Sequence, residues 1–277
     1  MILSSILIFF SSAQVGSVAD AMGGAGIGGP HPYESAILNP AALVEYKTKH
    51  FGMQQSQTDP GPNIEQKQYS FFFTDAGEMT VFPGTVFYRQ RTNKILDQKI
   101  REQHLQISGA AALTQKLSVG ISGYKIKTNL MSGADYNQYN ADLGTYWAAH
   151  PNLTVGAVFR GVMGSDTTVW PLSQVLPMAG SGAEYRFFDM FKLRYDINYF
   201  MEQNGDKRFR HQVGGEVRYE NMLALRTGYS QDDRLGENRL SFGIGWDGPR
   251  LKVAYAFQKE DRKDLGDAHS VDMWFDF

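Results

Sequence analysis

The chain has 277 residues, a formal charge of −2 and no cysteine. That excludes a disulfide framework and a thiolate metal site, and it removes any electrostatic basis for binding nucleic acid. The length suits one or two water-soluble domains or a single all-β barrel, and 29 Gly, 14 Tyr and 18 Phe suit strands with aromatic girdles and small inward residues.

Met1 to Phe10 is almost wholly apolar, and Ser11, Ser12 and Ala13 follow. The run is too short to span a bilayer as a helix. It reads as a secretory signal, residues 1–13, although no Lys or Arg precedes it. A buried first strand or helix is the alternative. No later run is long and apolar enough for a transmembrane helix. Residues 14–45 sustain neither period two nor period 3.6. They contain Met22-Gly23-Gly24-Ala25-Gly26-Ile27-Gly28-Gly29-Pro30 and then Ser35-Ala36-Ile37-Leu38-Asn39-Pro40-Ala41-Ala42-Leu43. No strand precedes the glycines and no Gly-Lys-Ser/Thr follows, so this is not a phosphate loop. Small residues suit a segment whose backbone passes close to another.

From residue 46 onward the pattern changes to alternation. Fourteen extended segments are expected at 48–57, 65–74, 79–92, 101–114, 117–128, 135–149, 153–163, 174–187, 191–202, 208–219, 222–230, 239–247, 251–259 and 268–277. In the twelfth, Leu240, Phe242, Ile244 and Trp246 oppose Ser241, Gly243, Gly245 and Asp247. In the last, Val271, Met273, Phe275 and Phe277 share one face, while Ser270, Asp272, Asp276 and Trp274 fall on the other. Short turns at 75–78, 115–116, 150–152, 188–190, 220–221 and 247–250 alternate with longer polar connections at 59–63, 93–99, 129–134, 164–173, 203–207, 231–238 and 260–267. That regularity predicts an up-and-down, 14-stranded antiparallel transmembrane β-barrel over residues 46–277, with both termini on the periplasmic side. A soluble sandwich, the alternative, gives no reason for it.

The closing strand resembles that of bacterial outer-membrane barrels, in which a terminal Phe is part of the signal read by the barrel assembly machinery. Phe275 and Phe277 would serve here. The Gly/Ala-rich start followed by Asn39-Pro40-Ala41 just before the first strand resembles the FadL family of outer-membrane transporters for hydrophobic compounds, and also the PorV-type barrels of a secretion system. The resemblance implies that residues 14–45 fold inside the lumen as a plug, or hatch. It also implies passive uptake of compounds such as long-chain fatty acids. Phe82-Pro83-Gly84 falls within the third expected strand, where Pro cannot donate to the ladder. It marks either a longer turn or the kink that, in FadL-like transporters, opens a lateral gate into the membrane.

Alternation also places charges inward near the periplasmic ends: Glu184, Arg186, Lys192, Arg194, Glu216, Arg218, Arg226, Asp247 and Lys252. They read as a bracing network, or as a site where an Arg holds a ligand carboxylate. The six His residues lack metal-ligand spacing, no Gly-x-Ser-x-Gly elbow occurs, and neither catalysis nor a cofactor is expected. The expected partners are outer-membrane lipid, a hydrophobic small molecule and the assembly machinery. A PorV-like scaffold that binds another outer-membrane or secreted protein is the alternative, with the connection carrying Trp170 and Pro171 as its docking point.

Overall fold

The computed structural model describes residues 15–61, 64–77, 82–95, 98–130, 133–165, 175–188, 190–201, 208–261 and 266–277. The N-terminal apolar run and residues 166–174, with Trp170 and Pro171, lie outside the described residues. Fourteen strands form one closed barrel. They are β1 (His50–Gly61), β2 (Ile64–Asp75), β3 (Gly84–Ile95), β4 (Gln98–Ala112), β5 (Leu117–Asn129), β6 (Asp135–His150), β7 (Leu153–Arg160), β8 (Met178–Phe187), β9 (Phe191–Phe200), β10 (Phe209–Tyr219), β11 (Leu223–Asp232), β12 (Glu237–Asp247), β13 (Leu251–Glu260) and β14 (Asp267–Asp276). Each pairs antiparallel with its sequence neighbours, and β1 closes on β14 from His50 opposite Asp276 to Asp59 opposite Asp267. Closure leaves no unpaired sheet edge, so every strand's backbone groups can be satisfied within the wall.

The period of two that makes these segments strands also divides the wall into two surfaces. In β14, Ala268, Ser270, Asp272 and Trp274 are buried, while Val271, Met273 and Phe275 are exposed. The exposed face carries Leu105, Ile107, Ile121, Leu143, Leu193, Leu225, Leu240 and Ile244 around the ring. Soluble monomers rarely expose contiguous apolar patches beyond a few hundred Å². A continuous apolar belt on a closed barrel is a surface for hydrocarbon, and the barrel is built to span a membrane. Aromatic residues bound the belt: Phe51, Phe73, Trp147, Phe187, Tyr219, Trp246 and Phe275 at the end carrying the C-terminus, and Tyr139, Phe209 and Tyr229 toward the other.

Two expectations about connections are corrected. β1 and β2 are joined by residues 62 and 63 alone, and β3 and β4 by residues 96 and 97 alone. The longer connection in this part of the chain is instead the one between β2 and β3, residues 76–83. Residues 59–63 read as loop, yet a register shift between Thr58 and Gly61 absorbs Pro60 and lets the ladder run on to Gly61 opposite Ile64. β3 starts at Gly84, not at 79, because Pro83 has no N–H to donate. Its carbonyl still accepts from Ala110 N at 3.0 Å.

The N-terminal segment folds as short turns: a helix at Ser17–Ala21, 3₁₀ turns at Pro32–Glu34 and Pro40–Glu45, and a helical turn at Ser35–Leu38. Its small residues Ala19, Ala21, Ala25, Ala36, Ala41 and Ala42 are almost completely buried.

Candidate functional site: the N-terminal segment and the charged barrel mouth

Asn39 is wholly buried. Its side-chain oxygen accepts from Ala41 N at 3.1 Å, capping the turn that Pro40 begins. Its amide donates to Ile27 O at 3.0 Å and to Thr145 O in β6 at 2.9 Å. One side chain therefore ties both halves of the segment to the barrel wall. Pro40 and Ala41 lie so close to β5 that a Cβ at Gly120 would sit 2.3 Å from Ala41 N. Ser118 Oγ donates to Ala41 O at 2.8 Å. This contact needs small residues on both sides, which is the physical content of Asn39-Pro40-Ala41.

The glycine-rich half is held by polar side chains that alternation alone does not single out. Asp196 Oδ2 in β9 accepts from Gly26 N at 2.7 Å and Ile27 N at 2.9 Å. Gln212 in β10 donates to Gly23 O at 3.0 Å, and Gln258 in β13 to Asp20 O at 3.0 Å. Ser17 N donates to Asp272 Oδ2 in β14 at 2.7 Å. Arg160 donates to Leu38 O at 2.9 Å. The segment thus meets β5, β6, β7, β9, β10, β13 and β14. An aromatic cluster adds to this. Tyr33 packs on Phe72 and Trp274 with ring centroids 5.1 and 5.0 Å apart, and His31 meets Trp274 at 4.7 Å. Trp274, one of the non-apolar-face positions of the last strand, is fully buried against the segment.

Two carboxyls of the segment are buried where charge is costly. Burial raises Asp20 well above the ordinary carboxylate range, with Asp272 and Glu34 nearby adding to the effect. Burial likewise raises Glu34, whose Oε1 accepts from Ala19 N at 2.7 Å. Burial, with Arg226 second, lowers His31 and keeps its ring neutral.

The inward charges gather into two connected sets. Glu184 accepts from Arg186 Nε and Arg194 Nε, both at 2.7 Å. Glu216 takes Arg218 Nε and Arg226 Nε at 2.7 Å and Lys192 Nζ at 3.1 Å. Arg218 also reaches Asp247 at 2.7 Å. Lys252 does not join them. It pairs with Asp276 at 2.6 Å, and Asp276 also contacts His50 at 2.7 Å. The ordinary alternation rule could also have found a further set toward the other end. Arg89 and Arg91 of β3 face Glu102 and His104 of β4, with Arg91 to Glu102 at 2.8 Å and Arg89 to His104 at 3.1 Å.

Phe82, Pro83 and Gly84 lead into β3 instead of interrupting it. Gly84 is already paired with Asp75 on one side and Gly109 on the other, and Phe82 is exposed. Phe275 and Phe277 point outward at the mouth, and Phe277 N donates to Lys49 O at 3.0 Å.

No family model matches the sequence, and no curated protein matches it. The fold does match solved structures. They include the monoaromatic hydrocarbon channel CymD, 17% identical over 95% of this chain and 98% of that one, with a TM-score of 0.67. The toluene transporter TodX of Pseudomonas putida is 14% identical over 95% and 98%, TM-score 0.65. A FadL homologue from Pseudomonas aeruginosa is 11% identical over 96% and 99%, TM-score 0.70. The chain has the fold of the FadL-like outer-membrane transporters.

Proposed function

We propose that the protein is an outer-membrane channel for passive uptake of hydrophobic small compounds, with residues 14–45 as a plug in its lumen and residues 1–13 as a signal. The observation that carries this reading is a closed 14-stranded barrel of FadL-like fold whose N-terminal segment is bonded to strands around the ring. Two of the similar proteins are described as channels or transporters for monoaromatic hydrocarbons or toluene. In this reading both termini face the periplasm, outer-membrane lipid surrounds the apolar belt, and Phe275 and Phe277 present the signal for the assembly machinery.

Long-chain fatty acids are the cargo implied by the family resemblance, and lateral exit at Phe82-Pro83-Gly84 is the route. The wall supports that route. Among the described residues the β3–β4 pairing ends at Gly84 opposite Gly109, with one further bond from Ala110 N to Pro83 O, while β4 continues to Ala112. Leaving sideways into lipid keeps an alkyl chain out of water, worth about 0.8 kcal/mol per CH₂. The test is uptake of radiolabelled oleate and toluene into liposomes carrying the purified protein. Uptake above empty liposomes is expected, and its absence for both compounds sinks the channel. A folded Pro83→Val/Gly84→Thr variant, favouring a continuous strand, is expected to lose oleate uptake. Unchanged uptake removes the lateral exit and leaves the channel standing.

A further inference from the structure

We propose that the end of the barrel carrying the C-terminus holds a binding site for a small organic anion, a carboxylate on an aromatic or short aliphatic frame. A cavity of 360 Å³ opens there between the N-terminal segment and the ends of β6, β8, β9 and β10. That volume lies at the lower end of the range for small-molecule pockets and suits a single ring with its carboxylate. Its walls divide by chemistry. Pro30, Ala42, Tyr46, Tyr146 and Phe191 supply apolar surface on which a ring can lie. Arg186, Lys192, Arg194 and Arg218 supply positive charge, against the lining carboxylates Glu45 and Glu184.

The cations are not used up by their internal partners. Glu184 serves both Arg186 and Arg194, while Glu216 and Asp247 serve Lys192, Arg218 and Arg226. Five cations thus share three carboxylates. A guanidinium has five N–H donors in a fixed fork. Arg194 commits Nε to Glu184, yet its Nη1 is buried with no partner, on a side chain only 4% exposed. That donor is shut off from the cavity, and the donors a carboxylate there would meet are the partly exposed heads of Arg186, Lys192 and Arg218. His31 lines the same cavity. Its ring, kept neutral by burial, adds no charge to it. Lipid headgroup phosphates are a poorer fit, because one wall of the cavity is apolar.

The site does not depend on the transport reading, since binding can be measured without flux. Equilibrium dialysis of radiolabelled benzoate against the full-length protein in neutral detergent at low salt tests it. One saturable site is expected, with benzyl alcohol displacing benzoate at least tenfold more weakly. Arg194→Gln can disturb folding, so the deciding variants lie at the half-exposed Arg186 and the rim residue Glu45. Each is first checked for folding by heat-modifiable gel migration. Arg186→Gln should weaken benzoate by about tenfold, and Glu45→Gln should tighten it severalfold. The proposal is overturned if benzyl alcohol competes as well as benzoate, or if both variants bind benzoate like the unaltered protein. Inorganic phosphate competing as well as benzoate also overturns it, by showing a site for any anion and none for the organic body.

Discussion

Asn39→Ala separates the N-terminal segment from the wall that holds it. The substitution removes three hydrogen bonds at once: to Ala41 N, Ile27 O and Thr145 O. At about 0.5–1.5 kcal/mol net for each bond, the segment loses about 2–4 kcal/mol of docking free energy. The strand ladders do not contain this residue, so the barrel should keep its own stability. Local opening of a cooperative unit is read by amide hydrogen exchange. At about 1.4 kcal/mol per factor of ten, exchange within residues 17–43 should rise roughly 30- to 1000-fold while β9 to β14 stay protected. Asn39→Asp keeps the cap to Ala41 N but turns an acceptor toward Ile27 O and Thr145 O. It should be at least as damaging as Ala. Unchanged exchange in Asn39→Ala, or near-normal exchange in Asn39→Asp, would refute the assignment of the two donated bonds.

Other substitutions probe different parts of the same arrangement. Gly120→Val pushes a side chain into Ala41 N and should raise exchange across residues 36–43, at a cost of about 1–3 kcal/mol. Gly123→Val, three positions on, meets nothing within 4 Å and should leave exchange unchanged. Asp20 has its pKa raised in the folded state, so its favourable share is fully present below the unfolded carboxylate pKa and is lost as pH rises through the folded one. Protease resistance of residues 17–43 should therefore fall with rising pH from about 4, and Asp20→Asn should flatten that slope. His31, lowered by burial, acts in the opposite sense as pH falls below about 6.5, so the Asp20 effect is read as a difference between the two proteins. Glu216→Gln leaves Lys192, Arg218 and Arg226 facing one another and should cost about 3–5 kcal/mol in urea unfolding. Arg226→Gln should cost less, because Glu216 keeps two partners.

Strand number and facing were legible because period two is a local property. One residue decides its own side, and fourteen segments announced themselves with end points close to those observed. The charged mouth was legible for the same reason. Alternation placed Glu184 and Arg194 on one face, and the register of β8 with β9 sets them opposite each other. Loop lengths were less legible near the start. Pro60 and Gly61 carry turn chemistry, but a register shift can absorb them into a ladder, and that depends on the partner strand. The partners of the N-terminal segment were the least legible. Asp196 lies 170 positions from Gly26, and Asp272 lies 255 from Ser17. Nothing in either neighbourhood records the other, because the match is between a backbone N–H and a carboxylate that only closure of the barrel brings together.

An apolar cargo poses a problem for this lumen, and the problem makes a prediction. Most inward side chains are polar and buried, among them Gln54, Gln68, Arg89, Glu102, Gln106, Ser122 and Ser241. Such a wall repels an apolar solute, since displacing its hydrogen bonds returns nothing. Among the described residues, two inward apolar tracks lie where the segment meets the wall, beside a smaller patch of Ala41, Ala42 and Tyr146. One runs along Ile27, Val158, Met178 and Phe200, the other along Val18, Met22, Tyr33, Phe72, Phe87 and Trp274. Toluene passing through the barrel should follow one of them and loosen the segment from it. Val158→Asn and Phe72→Asn each place an amide on one track, at about 1–3 kcal/mol for a poorly paired polar group. Toluene uptake into liposomes should drop roughly tenfold in the variant whose track is used. Full uptake in both folded variants would show that apolar compounds travel along neither track.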